Sequence, residues 1–132
     1  MLGRNSYSSD EIEACRDTAD ALLAAWQADE VEDSTLENLV FGQAVIALDA
    51  WFVHRLRGME GKDANALNEV RVLARSLMEN GGTVMEDTQI ALDPDRSVLG
   101  LRVGEPVRLT LQQYTRLSDA FFREIERRFR AR

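Results

Sequence analysis

The residues of this chain that could do chemistry concentrate in one stretch, between His54 and Arg71. The single histidine, His54, and the single lysine, Lys62, both lie there. One of the neighbouring carboxylates could orient His54 as a general base, and Arg57 or Lys62 could hold an anion. The candidate ligand-binding residues are His54, Arg57, Glu60, Lys62, Asp63, Asn68, Glu69 and Arg71.

The competing hypothesis for this stretch, which we favour, is a helix corner fastened by caps and ion pairs. The two hypotheses differ in whether the corner forms a concave pocket or is filled by groups that satisfy each other. His54 follows Gln43, Ala47 and Ala50 along one helical stripe, which predicts that it faces packed protein. We therefore expect a structural histidine, with His54→Ala lowering the free energy of unfolding by about 1–3 kcal/mol.

Catalytic and metal-binding motifs are absent from the sequence. One histidine among irregularly spaced carboxylates matches no zinc pattern, and the single cysteine, Cys15, excludes a cysteine cluster. The chain has no Walker loop, GxGxxG turn, GxSxG elbow or CxxC pair. We predict no metal, no cofactor and no assignable catalytic residue, and the sequence leaves open whether the protein is an enzyme.

Helices position the candidate stretch. The 132 residues predict a single domain, 1–132, with a flexible segment at 1–7. The mostly apolar run Leu36–Met59 predicts a buried central helix that ends at Arg57–Gly58. The third helix is expected to begin after a cap at Asp63 or Asn65. Capping boxes are indicated by Ser8 with Glu11, Ser34 with Glu37 and Thr110 with Gln113.

Residues 83–109 differ in character from the helical segments. The third helix should end at Asn80-Gly81-Gly82, and the β-prone runs Thr88–Leu92 and Val98–Val103 follow it. Asp93-Pro94-Asp95-Arg96 between them suits a type I turn. The predicted fold is mainly α, a four-helix bundle-like domain with a β-hairpin inserted between the third and fourth helices.

Charge and composition restrict the partners. The formal net charge is -7, which argues against nucleic acid as a partner, and no run is apolar enough for a membrane span. Without a secretory signal pattern, we expect a cytoplasmic protein. The neighbouring aromatics Trp51–Phe52 and Phe121–Phe122 cannot all face one core, so leftover apolar surface predicts a homodimer. The arginine-rich face of the last helix is a solvated face or binds an anionic protein partner.

Two segments, WFVHRLRGMEGKDANALNEVRVL and SVLGLRVGEPVRLT, resemble a group of small uncharacterised proteins from GC-rich bacteria. The resemblance covers under half of the chain and implies no activity, cofactor or site residue. Two functional hypotheses remain. The first is a non-catalytic protein-interaction module that forms a homo-oligomer. The second is a small-ligand (anion)-binding protein or enzyme with its site at the His54–Arg71 corner.

Overall fold

The computed structural model describes residues 3–30 and 32–131 and is mainly helical, as predicted. Its helices are α1 (Ser9–Ala28), α2 (Ser34–Trp51), α3 (Arg57–Glu60), α4 (Ala66–Glu79) and α5 (Leu111–Phe129). The finer prediction of a four-helix bundle is not confirmed. A one-turn helix, α3, forms at the corner between α2 and α4, where the sequence pattern predicts only a loop.

Side-chain caps begin the long helices. Ser8 with Glu11 and Thr110 with Gln113 form the predicted capping boxes at α1 and α5. Asn65, one of the two residues predicted to cap the third helix, accepts from the first amides of α4. These caps satisfy amide groups that a helix cannot pair internally.

The predicted capping box at Ser34 and Glu37 is wrong. Asp33 is the N-cap of α2 and accepts a hydrogen bond from the Leu36 amide at 3.0 Å. Glu37 instead accepts from the Leu111 amide at 2.9 Å, in the first turn of α5. The Glu37 carboxylate therefore caps α5 and not α2. The first amides of α5, like those of any helix, have no acceptor within the helix.

The second helix ends earlier than the sequence pattern predicts, at Trp51 and not at Arg57–Gly58. After Trp51 the chain continues as turns through His54, and the backbone of Arg4 then pairs on both sides of Arg55. The Arg4 amide donates to the His54 carbonyl, and the Leu56 amide donates to the Arg4 carbonyl, each at 2.7 Å. Leaving the helix lets the guanidinium of Arg55 turn inward, where it is buried.

The last helix, and not the second, is central to the packing. Helix α5 packs against each of the other four helices, whereas α2 packs mainly against α4 and α5. The inner face of α5 carries large buried side chains: Tyr114, Leu117, Phe121, Phe122, Ile125 and Phe129. Each such side chain contributes roughly 1.5–3 kcal/mol when it is removed from water.

The aromatic pairs do not leave the surplus apolar surface that the sequence predicts. Phe121 and Phe122 are both buried, with ring centroids 5.7 Å apart in a T-shaped contact. Phe52 contacts both of them, and Trp51 is half-buried against the same core. A partner surface, if the protein has one, must therefore be formed by other residues.

Residues 3–7, which the sequence pattern indicates as flexible, are packed against the domain in the structure. Tyr7 is buried, its ring contacts Phe52 edge-on at 4.8 Å, and its amide donates to the Phe129 carbonyl. The backbone of Arg4 forms an isolated parallel β-bridge with the backbone of Arg55. Met1 and Leu2 of the same predicted segment lie outside the described residues.

The predicted β-hairpin is not confirmed. Residues 83–109 are all described, and their only ladder contact is an isolated antiparallel bridge between Thr83 and Pro106. The amides that a hairpin would use are bound by side chains instead. Asp87 accepts from the Gln89 and Ile90 amides at 2.8 and 2.9 Å. In this segment a side-chain carboxylate accepts the amide hydrogen bonds that a paired strand would otherwise accept.

Candidate functional site

The centre of the His54–Arg71 corner is the carboxylate of Glu60, which is fully buried at the end of α3. Arg71 donates to it from Nη2 at 2.9 Å and from Nε at 3.2 and 3.3 Å. Arg55 donates from Nε to Oε1, and Arg57 Nε lies 3.4 Å from Oε2. Three arginines thus surround one carboxylate.

Arg55 connects this carboxylate to the second helix. Its Nη2 donates to Asp49 at 2.9 Å and to the Leu67 carbonyl at 3.2 Å, and its Nη1 donates to the Phe52 carbonyl at 3.0 Å. The Arg55 side chain is fully buried, so these bonds replace water for a charged group. A buried guanidinium is tolerated only when its donors are satisfied in this way.

The backbone of the corner is held as tightly as the side chain of Glu60. Asn65 Nδ2 and Arg128 Nη1 donate to the Glu60 carbonyl at 2.8 and 2.9 Å. Asn68 Nδ2 donates both to Glu60 Oε2 at 3.0 Å and to the Gly61 carbonyl at 3.1 Å. Since Arg128 belongs to α5, the corner is fastened to the helix at the centre of the packing.

Gly61 is the residue that allows this close approach. Its φ is +81°, a left-handed conformation that L side chains rarely adopt. A Cβ at this position would lie 2.7 Å from Nη1 of Arg128. The backbone conformation therefore favours glycine here, and a side chain would also displace the guanidinium of Arg128 from the corner.

The electrostatics make Glu60 a poor proton acceptor. Burial alone raises the pKa of its carboxyl, but the hydrogen bond from Arg71 and the charges of Arg55 and Arg71 outweigh burial and hold that pKa below its ordinary value. Both oxygens accept hydrogen bonds from protein donors. A general base needs a free lone pair and a pKa nearer the working pH.

The structure brings together only some of the candidate residues. Arg57, Glu60, Asn68 and Arg71 meet in one cluster. Asp63 lies at its edge, where it pairs with Arg128 at 3.4 Å. The remaining three lie apart from this cluster: His54, Lys62 and Glu69.

Glu69 is buried but points to a different part of the chain. Its two carboxylate oxygens accept from the Val98 and Leu99 amides at 2.8 and 3.0 Å. Burial raises the pKa of the Glu69 carboxyl, and the two amide hydrogen bonds offset this only in part. Glu69 thus anchors the loop before α5 and does not orient His54.

His54 is exposed, so the prediction that it faces packed protein is wrong. The stripe on which that prediction rests lies on the outer face of α2, where Gln43 and Ala50 are also exposed. The backbone carbonyl of His54 accepts from Arg4, but that bond does not depend on the side chain. The corner can therefore hold together without the imidazole.

We now expect His54→Ala to melt within about 1 °C of the wild type, because exposed substitutions that remove no buried contact have small effects. Thermal denaturation followed by circular dichroism measures this. Asn68→Ala is the matched comparison within the corner and should melt several degrees lower, since it removes the hydrogen bonds that Asn68 donates to Glu60 and to the Gly61 carbonyl. A loss of several degrees in His54→Ala would show that the imidazole has a structural partner.

Three residues that complete the cluster are not among the candidates predicted from the sequence. Asp49 and Arg55 are buried together, and Arg128 reaches the corner from the far end of the chain. Asp49 had a detectable signal, because a charge inside a buried apolar helix needs a partner of opposite sign. Arg128 had none, since its neighbours in α5 are equally arginine-rich.

The cavities near the corner are small. One of about 320 Å³ is lined by Gly3, His54 and Arg57 among others, and one of about 210 Å³ is lined by Asn65, Glu69 and Arg123 among others. Among residues 3–30 and 32–131, no group of three His, Cys, Asp or Glu side chains is placed to hold a metal ion. The corner is a filled structure whose groups mostly satisfy each other.

A second candidate surface lies on the outer face of α2. Leu39 is 63 % exposed and Leu36 is 42 % exposed, and Val53 beyond the helix end is 46 % exposed. Beside Leu39 runs a groove of about 750 Å³, whose other wall includes Leu77 and Pro106. Exposed leucines beside a groove are a feature of interaction surfaces.

Comparison with known proteins identifies no relative of this chain. No family model, no curated protein and no solved structure matches the chain. The resemblance to small proteins of GC-rich bacteria therefore stays a prediction. In the part of the chain that the structure describes, no helix is long and apolar enough to cross a membrane.

Proposed function

We propose that the protein is a non-catalytic interaction module that assembles into a homo-oligomer through the outer face of α2. The observation that carries this proposal is the absence of exposed charge on that face. Between Ser34 and His54, all of which the structure describes, no Asp, Glu, Lys or Arg is exposed. The two acidic residues of α2 bind partners within the chain, Glu37 at Leu111 and Asp49 at Arg55.

This face is unusual for the protein. Charged residues make up 30 % of the chain, and the outer face of α1 exposes Glu13, Asp17 and Asp20. A solvated helix face is normally polar or charged. An uncharged face with two exposed leucines is therefore better suited to another protein surface than to water.

The geometry of the corner supports the non-catalytic part of the proposal. Glu60 has its oxygens occupied by arginines and a lowered pKa, and His54 has no carboxylate side chain bonded to it among the described residues. An acid–base pair needs mutual hydrogen bonding or a shared substrate position. The hydrogen bonds and ion pairs of the corner hold the C-terminal end of α2 in place.

Anion binding at the corner is the second candidate, and Arg57 favours it. Its Nη2 is buried without a hydrogen-bond acceptor within the described residues, and its Nε lies 3.4 Å from Glu60 but forms no hydrogen bond with it. Arg57 also lines the 320 Å³ cavity. Inorganic phosphate that raised the melting temperature of the wild type, but not of Arg57→Gln, would favour this candidate over a purely structural corner.

We expect the wild type to sediment at a mass above the 14.9 kDa of one chain, and Leu39→Glu to sediment as a monomer. A carboxylate in place of Leu39 would be desolvated without a partner on assembly, whereas it is solvated in the monomer. Analytical ultracentrifugation over a concentration series measures this. We expect a dissociation constant on the order of micromolar, since one helix face is a small interface.

Val103→Glu is the matched control for this experiment. Val103 is 59 % exposed, close to the 63 % of Leu39, but it lies in the loop before α5. Val103→Glu should therefore assemble like the wild type. If the wild type sedimented with the mass of one chain at every concentration, the proposal would be refuted. If Leu39→Glu and Val103→Glu lost assembly equally, the outer face of α2 would not be the contact surface.

A further inference from the structure

The outer face of α2 has the spacing of a helix-pairing seam. Six exposed or half-buried positions of α2 and of the turn that follows it recur alternately three and four residues apart, and none of the six is charged. They are Leu36, Leu39, Gln43, Ile46, Ala50 and Val53. This is the a and d pattern of a two-helix coiled coil, in which an apolar seam faces a partner helix. The buried residues of α2, between Phe41 and Asp49, lie on its other side, and of the six seam residues Ile46 also packs against the core.

The seam is asymmetric along its length. Its first half presents the two leucines, and its second half presents Ala50, with Ile46 half-buried between them. Large side chains pack best opposite small ones, because facing layers then interdigitate without voids. A seam with Leu39 in its first half and Ala50 at the equivalent place in its second half is complementary to a second copy of itself that runs the opposite way.

Building on the proposed function, we infer that the partner of this face is a second copy of α2, packed antiparallel about a two-fold axis. The layers of this seam place Leu36 opposite Val53, Leu39 opposite Ala50 and Gln43 opposite Ile46 of the other copy. The two Gln43 side chains then lie about 4.5 Å apart along the axis, within reach of each other. A polar residue at a central seam position fixes the register of a helix pair.

The charges at the two ends of α2 favour the same direction. The segment before the helix exposes Asp29, Glu30, Glu32 and Asp33. At the other end, the ion pairs around Glu60 join three arginines to two carboxylates: Arg55, Arg57 and Arg71 to Asp49 and Glu60. Antiparallel packing brings the acidic end of one copy to the basic end of the other.

A parallel pair would be opposed by the same features. It would place both acidic segments at one end, where like charges repel, and it would align the two helix dipoles unfavourably. It would also set Ala50 against Ala50, which leaves a void in that layer. The antiparallel arrangement avoids each of these costs.

Disulfide cross-linking tests the direction and the register together. In a Cys15→Ser background, the double variant Leu39→Cys, Ala50→Cys should form a covalent dimer on mild oxidation. Each single variant should not, because equivalent positions lie about 17 Å apart along an antiparallel pair and a disulfide needs Cα atoms closer than about 7 Å. Within one chain the two cysteines are as far apart, so the bond can only be intermolecular.

The outcomes separate this inference from the proposed function. Covalent dimer from the double variant alone supports the antiparallel register. A covalent dimer formed by either single variant would show a parallel pair. An oligomeric protein that forms no cross-link would show that another surface makes the contact. Either result would overturn the antiparallel inference but not the proposed homo-oligomer. A wild type that is monomeric by ultracentrifugation overturns both.

Discussion

Glu60→Gln should lower the free energy of unfolding by about 3–5 kcal/mol, the cost of removing one partner of a buried ion pair. The substitution keeps the shape of the side chain but leaves the fully buried guanidinium of Arg55 with one carboxylate, Asp49, in place of two. For a domain whose total stability is about 5–15 kcal/mol, this loss is a large fraction of the total. Urea unfolding followed by tryptophan fluorescence measures it.

Glu79→Gln is the control for the loss of a carboxylate. Glu79 pairs with Arg75 at 3.4 Å, but both side chains are largely exposed to water. Exposed ion pairs contribute little, so the unfolding midpoint of Glu79→Gln should match that of the wild type. If Glu60→Gln also unfolded at the wild-type midpoint, the arginine cluster would not stabilise the corner.

The sequence predicts helices well where their ends carry local signals. Ser8 with Glu11 and Thr110 with Gln113 lie three residues apart, and both capping boxes form as predicted. Asn65 was one of two candidate caps and is the one used. Such signals are readable because donor and acceptor are close in sequence, so no tertiary structure is needed to bring them together.

The sequence does not predict where tertiary contacts override these local signals. Glu37 has the spacing of a capping box but caps α5, 74 residues away. The second helix ends at Trp51 because Arg55 must leave it to reach Asp49 and Glu60, and no glycine or proline marks that point. A hydrogen bond between distant segments determines the first outcome and buried ion pairs determine the second, and one sequence alone does not reveal which partners meet.

Part of the candidate stretch forms a buried cluster, but the sequence does not show which of its residues are buried. The sequence placed the most varied polar chemistry between His54 and Arg71, and the buried cluster around Glu60 does lie there. It could not show that His54 and Lys62 point to solvent while Glu60 is buried. Burial depends on the path of the chain after Trp51, which the local pattern does not contain.

Glu69→Ala should release the loop before α5 and lower the free energy of unfolding by about 1–3 kcal/mol. Its carboxylate accepts from the Val98 and Leu99 amides, and alanine leaves both donors without an acceptor. The loss is partly offset, because removing a buried carboxylate also removes its cost of desolvation. Hydrogen exchange should show the Val98 and Leu99 amides losing protection while the amides of α4 keep theirs. Unchanged protection at both amides would show that the loop is held by other contacts.

The two buried glutamates should respond to acid with opposite signs. The pKa of Glu60 is lowered in the folded state by Arg71 and Arg55 despite its burial, so its stabilisation is present above the unfolded pKa of about 4.3 and is lost as pH falls through the folded pKa. Burial raises the pKa of Glu69, so between its unfolded and folded pKa values the folded chain binds more protons than the unfolded chain.

As pH falls from 7 towards about 4.3, the wild type should therefore gain stability relative to Glu69→Gln. Below that range it should lose stability relative to Glu60→Gln. Urea unfolding of the three proteins across this range measures both differences, and the same sign for both would contradict the assigned roles.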